Sequence, residues 1–137
     1  MQRKVRSKRL HRFLRLSRLR PSPPPASRYA LIQGALGAYR TGVLQAIPLQ
    51  LGEHETITVA AGDCHFDPSL RTGVPPNLVD VRLRNHFLAG RRLLWQSGAL
   101  RTLMQATGAI VELNPRILTT WVALLVGRMT GRRVIVW

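Results

Sequence analysis

Lysine, acid and cysteine are all scarce in this chain of 137 residues. Lys4 and Lys8 are its only lysines, six side chains are acidic, and Cys64 is the single cysteine. One cysteine excludes an internal disulfide and any multi-cysteine metal site, and it fits a reducing compartment. No bound metal or other cofactor is expected. Aromatic residues make up 6% of the chain. They are not interleaved with the basic ones, as base-stacking RNA modules require. Long apolar runs are missing too. The longest, Ile117 to Val126, contains Thr119 and Thr120 and covers about ten residues, where a membrane span needs about twenty. The basic N-terminus is not followed by an apolar core of about 7 to 15 residues, so no secretory signal is read and a cytoplasmic location is expected.

Arginine is plentiful, and unevenly spread. The formal net charge is +15. Residues 1–27 hold nine Lys and Arg and no acid, and residues 28–137 hold twelve Arg and six acids. Residues 1–20 read as a basic helical tail, with Val5, Leu10, Phe13 and Leu14 in a narrow apolar strip. Against that strip stand Arg3, Lys4, Arg6, Lys8, Arg9, Arg12, Arg15, Arg18 and Arg20. Such a helix suits an anionic membrane surface, here the inner face, or a nucleic acid. The plain alternative is a solvated extension. Pro21, Pro23, Pro24 and Pro25 then make a stiff spacer that separates the tail from the domain.

The remainder, residues 28–137, reads as one domain of alternating strands and helices. Strands are expected near 29–33, 56–61, 78–83, 109–113 and 134–137, and helices near 39–51, 91–106 and 117–130. This predicts an α/β fold, a Rossmann-like three-layer domain with a mostly parallel sheet of about five strands. Asn85 to Gly90 reads as loop. Pro48 is expected to kink or shorten the first helix. In the last helix Leu118, Trp121, Val122, Leu125, Val126 and Met129 recur at helical spacing and are the expected buried face, and Gly131 is the stop. The turn Gly34-Ala35-Leu36-Gly37 is neither a dinucleotide fingerprint nor a P-loop, which disfavours a nucleotide there. Asp63, Cys64, His65 and Asp67 crowd one loop but lack zinc-ligand spacing, and adjacent Cys and His do not pair as nucleophile and base. A loop lining a cleft at the strands' C-terminal edge is the better account.

The run Asn114-Pro115-Arg116, an apolar helix with Trp121, and then Gly131-Arg132-Arg133-Val134-Ile135-Val136-Trp137 resembles the N-terminal half of family 4-like glycosyltransferases. So do Tyr39-Arg40 followed by Val43 and Leu44, and the Trp95-Gln96-Ser97-Gly98 segment, whose Trp is expected to pack on the sheet. The similarity spans roughly Tyr29 to Trp137. It implies the GT-B fold, in which two Rossmann-like domains face a cleft and a sugar passes from an activated nucleotide donor to an acceptor without an essential metal. The first domain lies beside the acceptor, and the second binds the sugar nucleotide. In such sequences a Gly-His turn follows the Val-Trp strand. Stopping at Trp137, the chain is expected to be a truncated acceptor-side half, inactive alone, with an open sheet edge and uncovered apolar area at Val134 and Val136. The implied acceptor-side candidates are Gly34, Gly37, Tyr39, Arg40, His65, Asn114 and Arg116; for Arg40 a structural role is the alternative. No catalytic residue is assigned. The rival from another class is a small basic nucleic-acid-binding protein, warranted by the charge but disfavoured by the lack of a module pattern, or a general α/β interaction domain.

Overall fold

The structure, a computed structural model, describes residues 26–137. The basic tail expected over residues 1–20, and the proline spacer up to Pro25, lie outside the described residues.

Among the described residues seven strands and three α-helices follow in order: β1 (Ser27–Gln33), α1 (Thr41–Gln50), β2 (Glu55–Ala61), β3 (Val81–Arg82), β4 (Arg84–Leu88), β5 (Leu93–Ser97), α2 (Ala99–Gln105), β6 (Gly108–Val111), α3 (Leu118–Thr130) and β7 (Arg133–Val136). Five of the strands form one sheet in the order β3-β2-β1-β6-β7, and every pair in it is parallel. The chain is an α/β domain with a five-stranded parallel sheet flanked by helices.

Side chains leave a strand alternately to its two faces, so each strand feeds both sides of the sheet. Ala30, Ile32, Ala60, Ala109 and Val111 pack on one face with Leu103 of α2 and Ala123 of α3. Leu31, Val59 and Ala61 pack on the other with Leu36, Leu44 of α1 and Val74. Helices therefore lie on both faces, giving three layers. The central strands are short apolar runs because they are covered on both sides.

Several local expectations need correction. The stretch read as a loop and a long helix over residues 85–106 holds an antiparallel hairpin, β4 with β5, and only then the short α2. Trp95 is half-buried on β5, opposite His86, rather than on a helix. The hairpin turn has left-handed backbone at Ala89 (φ 49°), Gly90 (φ 62°) and Arg91 (φ 64°). Non-glycine residues seldom take that conformation. Arg91 is fixed there by donating Nε–H to Phe66 O at 3.0 Å and an Nη2 hydrogen to His65 O at 2.7 Å. Of the third expected strand only Val81–Arg82 pairs, and α1 runs two residues past Pro48, to Gln50.

The face of α3 also differs. Its buried residues are Thr119, Thr120, Ala123 and Gly127, while Trp121, Leu125 and Met129 are 55%, 58% and 77% exposed. Close approach selects small residues. A Cβ on Gly127 would stand 2.4 Å from Cγ2 of Val134, and Thr120 Oγ1 donates to Glu112 O at 3.1 Å. Val134 is consequently half-buried against the core, and the uncovered apolar residues of edge strand β7 and its end are Ile135, Val136 and Trp137. More than half exposed, with its indole N–H donated to Pro115 O at 3.1 Å, Trp121 contributes little to the core. Trp121→Ala is expected to cost less than about 1 kcal/mol, read from the urea midpoint at unchanged slope. A loss near the ~3–5 kcal/mol of a buried aromatic would contradict this exposed placement.

Candidate functional site

In the order β3-β2-β1-β6-β7 the chain proceeds outward from β1 in one direction, then returns to β1's other side with β6. The gap between the C-terminal ends of β1 and β6 is therefore the topological switch point, where open parallel sheets leave room for a ligand. Gly34 follows β1 there and Glu112 follows β6.

These two residues meet. Gly34 N–H donates to Glu112 Oε2 at 2.8 Å, and Glu112 Oε1 lies 2.6 Å from His65 Nε2. A Cβ at position 34 would stand 3.0 Å from both Glu112 Oε2 and His65 Cδ2, so a larger residue there would press on the pair. The imidazole and carboxylate side chains are 20% and 19% exposed, screened from bulk water but not sealed from it. Glu112 thus has one carboxylate oxygen on the Gly34 N–H and the other on the imidazole.

A cavity of about 190 Å³ opens beside the pair, lined by Gln33, Gly37, Tyr39 and Arg40 among others. Gln33 is 2% exposed. Its Oε1 accepts from Arg40 Nη1 at 3.2 Å, but its Nε2 has no partner. A buried donor left unpaired carries a desolvation penalty. Arg40 is further held by Tyr39 Oη at 3.3 Å and lies 4.5 Å from the centroid of the Trp137 ring. It thus serves as a structural bridge and as cavity lining at once. An added Cβ at Gly37 would stand 2.4 Å from Tyr39 Cε1, but Tyr39 is 81% exposed and its ring is free to swing away.

On the other side of His65 a more open depression is lined by Phe66, Asp67, Gly90, Arg91, Asn114 and Arg116. Arg116 is not a free cation there. It donates to Arg92 O at 2.8 Å and Arg91 O at 2.7 Å and stacks 3.9 Å from the centroid of Phe66. Asn114 Oδ1 accepts from Arg116 N–H at 3.0 Å. Both residues shape the rim and tie the hairpin turn to the segment after β6. Asp67 accepts from Ser69 N–H at 2.8 Å. That bond, with smaller help from Arg91, holds its carboxyl below the ordinary aspartate value.

All seven acceptor-side candidates read from the sequence thus sit at this edge, in two sets that share His65. Glu112, Gln33 and Asn85 complete it. Asn85 Nδ2 donates to Gly34 O at 2.8 Å and to Cys64 O at 2.7 Å, and its Oδ1 accepts from Gln96 Nε2 at 3.3 Å. It fixes the turn after β1 to the segment that carries His65. Among the described residues no group of three His, Cys, Asp or Glu is arranged to hold a metal ion. Nor, among them, is any helix long and apolar enough to cross a membrane.

The fold and this edge define the class: a parallel α/β domain with a polar site at its switch point. Beyond that class, no family model, curated protein or solved structure matches the chain.

Proposed function

We propose that this domain is the acceptor-side half of a GT-B-type glycosyltransferase, binding a hydroxyl-bearing acceptor in the cavity beside His65 and Glu112. One observation carries the proposal: the hydrogen-bonded His65–Glu112 and Arg40–Gln33 pairs line one cavity at the switch point. Hydroxyl groups both donate and accept, so they match a wall that offers a guanidinium, an imidazole and a carboxylate. During transfer the acceptor oxygen bonds to the donor's anomeric carbon as the bond to the nucleotide phosphate breaks. The hydroxyl proton then needs an acceptor, and the His65–Glu112 pair supplies one. The sugar nucleotide belongs to a second Rossmann-like half, so these residues alone bind the acceptor without turning it over.

Nucleic-acid binding is the weaker account of the domain. Arg91, Arg116 and Arg132 donate to backbone carbonyls and have fewer hydrogens left for phosphates.

The test is a titration of the full chain with methyl glucoside, methyl mannoside and myo-inositol, followed by amide chemical shifts. The expected result is weak saturable binding with shifts at Gly34 and His65, absent in Glu112→Gln, whose circular dichroism stays native. UDP-glucose should be neither hydrolysed nor transferred. If no polyol shifts these amides, while steeply salt-dependent nucleic-acid binding survives deletion of residues 1–27, the assignment fails.

A further inference from the structure

The outer face of α3 is apolar where a surface helix is ordinarily polar. Trp121, Leu125 and Met129 follow one another at intervals of four, one above the next along the helix, and each has more than half of its surface exposed. Met104 of the neighbouring α2, 46% exposed, adds to the same helical layer. Contiguous exposed apolar side chains of this kind mark interaction sites.

Charge indicates the partner. The α2–α3 layer and the turn into β7 carry Arg101, Arg128, Arg132 and Arg133, of which Arg132 is tied to Ala106 O and Met104 O, and the one acid of residues 99–137 is Glu112. That acid is engaged at the cleft by His65 and Gly34. The other five acids of the chain all lie between Glu53 and Asp80, on β2 and the segments that follow it. The α2–α3 layer is thus apolar and cationic, with no acid in either helix. A second copy of the same face would set arginines against arginines with no carboxylate between them, which opposes self-association. A surface that is apolar beneath and anionic above satisfies both features. Trp121 suits it further, because an indole ring with a polar edge favours the boundary between headgroups and acyl chains.

We propose that the outer face of the α2–α3 layer, centred on Trp121, Leu125 and Met129, docks the domain on an anionic lipid surface. This surface is separate from the tail of residues 1–20 and from the cleft.

The experiment compares the full chain with Leu125→Glu/Met129→Glu, both at exposed positions, after circular dichroism establishes equal folding. Both proteins carry the same tail, so its contribution cancels. With phosphatidylcholine vesicles containing phosphatidylglycerol, the double variant should partition roughly tenfold or more weakly. Vesicles of phosphatidylcholine alone should bind both proteins poorly. Ring-level brominated lipids should quench the native protein's fluorescence, and Trp121→Phe should remove most of that quenching. The last measurement introduces no charge into the face, so it decides the matter if the double variant misfolds. Equal partitioning of a folded double variant, or quenching that survives Trp121→Phe, overturns the proposal. So does a concentration-dependent dimer in sedimentation that the double variant abolishes without changing lipid binding, since the face would then pair two copies.

Discussion

Asn85→Ala is expected to destabilise the domain by about 2–4 kcal/mol and to loosen the cleft at the same time. The side chain amide holds two backbone carbonyls, Gly34 O at 2.8 Å and Cys64 O at 2.7 Å. Alanine leaves both without that donor in a part-buried setting. Each orphaned group costs about 1–3 kcal/mol, and water entering the vacated space offsets part of it. Gln96 loses less, because its Nε2 also donates to Gln33 O at 3.0 Å. Small domains have only about 5–15 kcal/mol in total, so the midpoint of urea unfolding should fall clearly at unchanged slope. The second readout is positional. Gly34 and Cys64 flank the His65–Glu112 contact, so the His65 and Gly34 amide signals should shift or broaden below the unfolding range. A variant with native midpoint and unmoved signals would show that Asn85 does not organise the site.

Asn85 reads from the sequence as a loop residue at the strands' C-terminal edge, but the carbonyls it holds are not legible there. The central strands were legible because runs such as Tyr29 to Gln33 and Thr56 to Ala61 are apolar, β-rich and closed by glycine. The end of α3 was legible because Gly131 takes φ 69° after the last helical turn. The hairpin was not. Leu93, Leu94, Leu100 and Leu103 also satisfy helical spacing. The turn has alanine and arginine in left-handed backbone, held by Arg91's bonds to the backbone of distant residues instead of by an Asn-Gly signal. The buried face of α3 was misread for a different reason. Hydrophobicity ranks Trp121 and Leu125 above Thr120 and Gly127, whereas the space over β6 and β7 admits only the smaller set. At the site, His65 was visible as a loop residue, but Glu112 falls within the strand expected near 109–113 and stands out by no motif. They are 47 residues apart, and only the return of β6 to the side of β1 brings them together. Gln33 gave no signal at all, since a glutamine ending a strand has no motif around it.

Gly62→Ala is expected to be as damaging as the loss of Asn85, and not additive with it. Gly62 ends β2 without a left-handed backbone, so its conformation accepts alanine, and stiffening the unfolded chain would by itself stabilise the fold by about 0.4–1 kcal/mol. Sterics reverse that sign. The added Cβ would stand 2.1 Å from Asn85 Nδ2 and 2.3 Å from its Cγ. A flexible side chain would swing aside cheaply, but the Asn85 amide is pinned by Gly34 O, Cys64 O and Gln96. Moving it gives up the same hydrogen bonds that Asn85→Ala removes, so about 2–4 kcal/mol is lost by either route. With Asn85→Ala already in place there is nothing for the methyl to displace. Gly62→Ala should then be neutral or slightly stabilising, and the cycle should show a coupling of about 2 kcal/mol or more, at the upper end for residues in contact. Four urea midpoints measure it. Additive losses would mean that the methyl at position 62 meets something other than Asn85, and that the segment carrying His65 is held in place by other contacts.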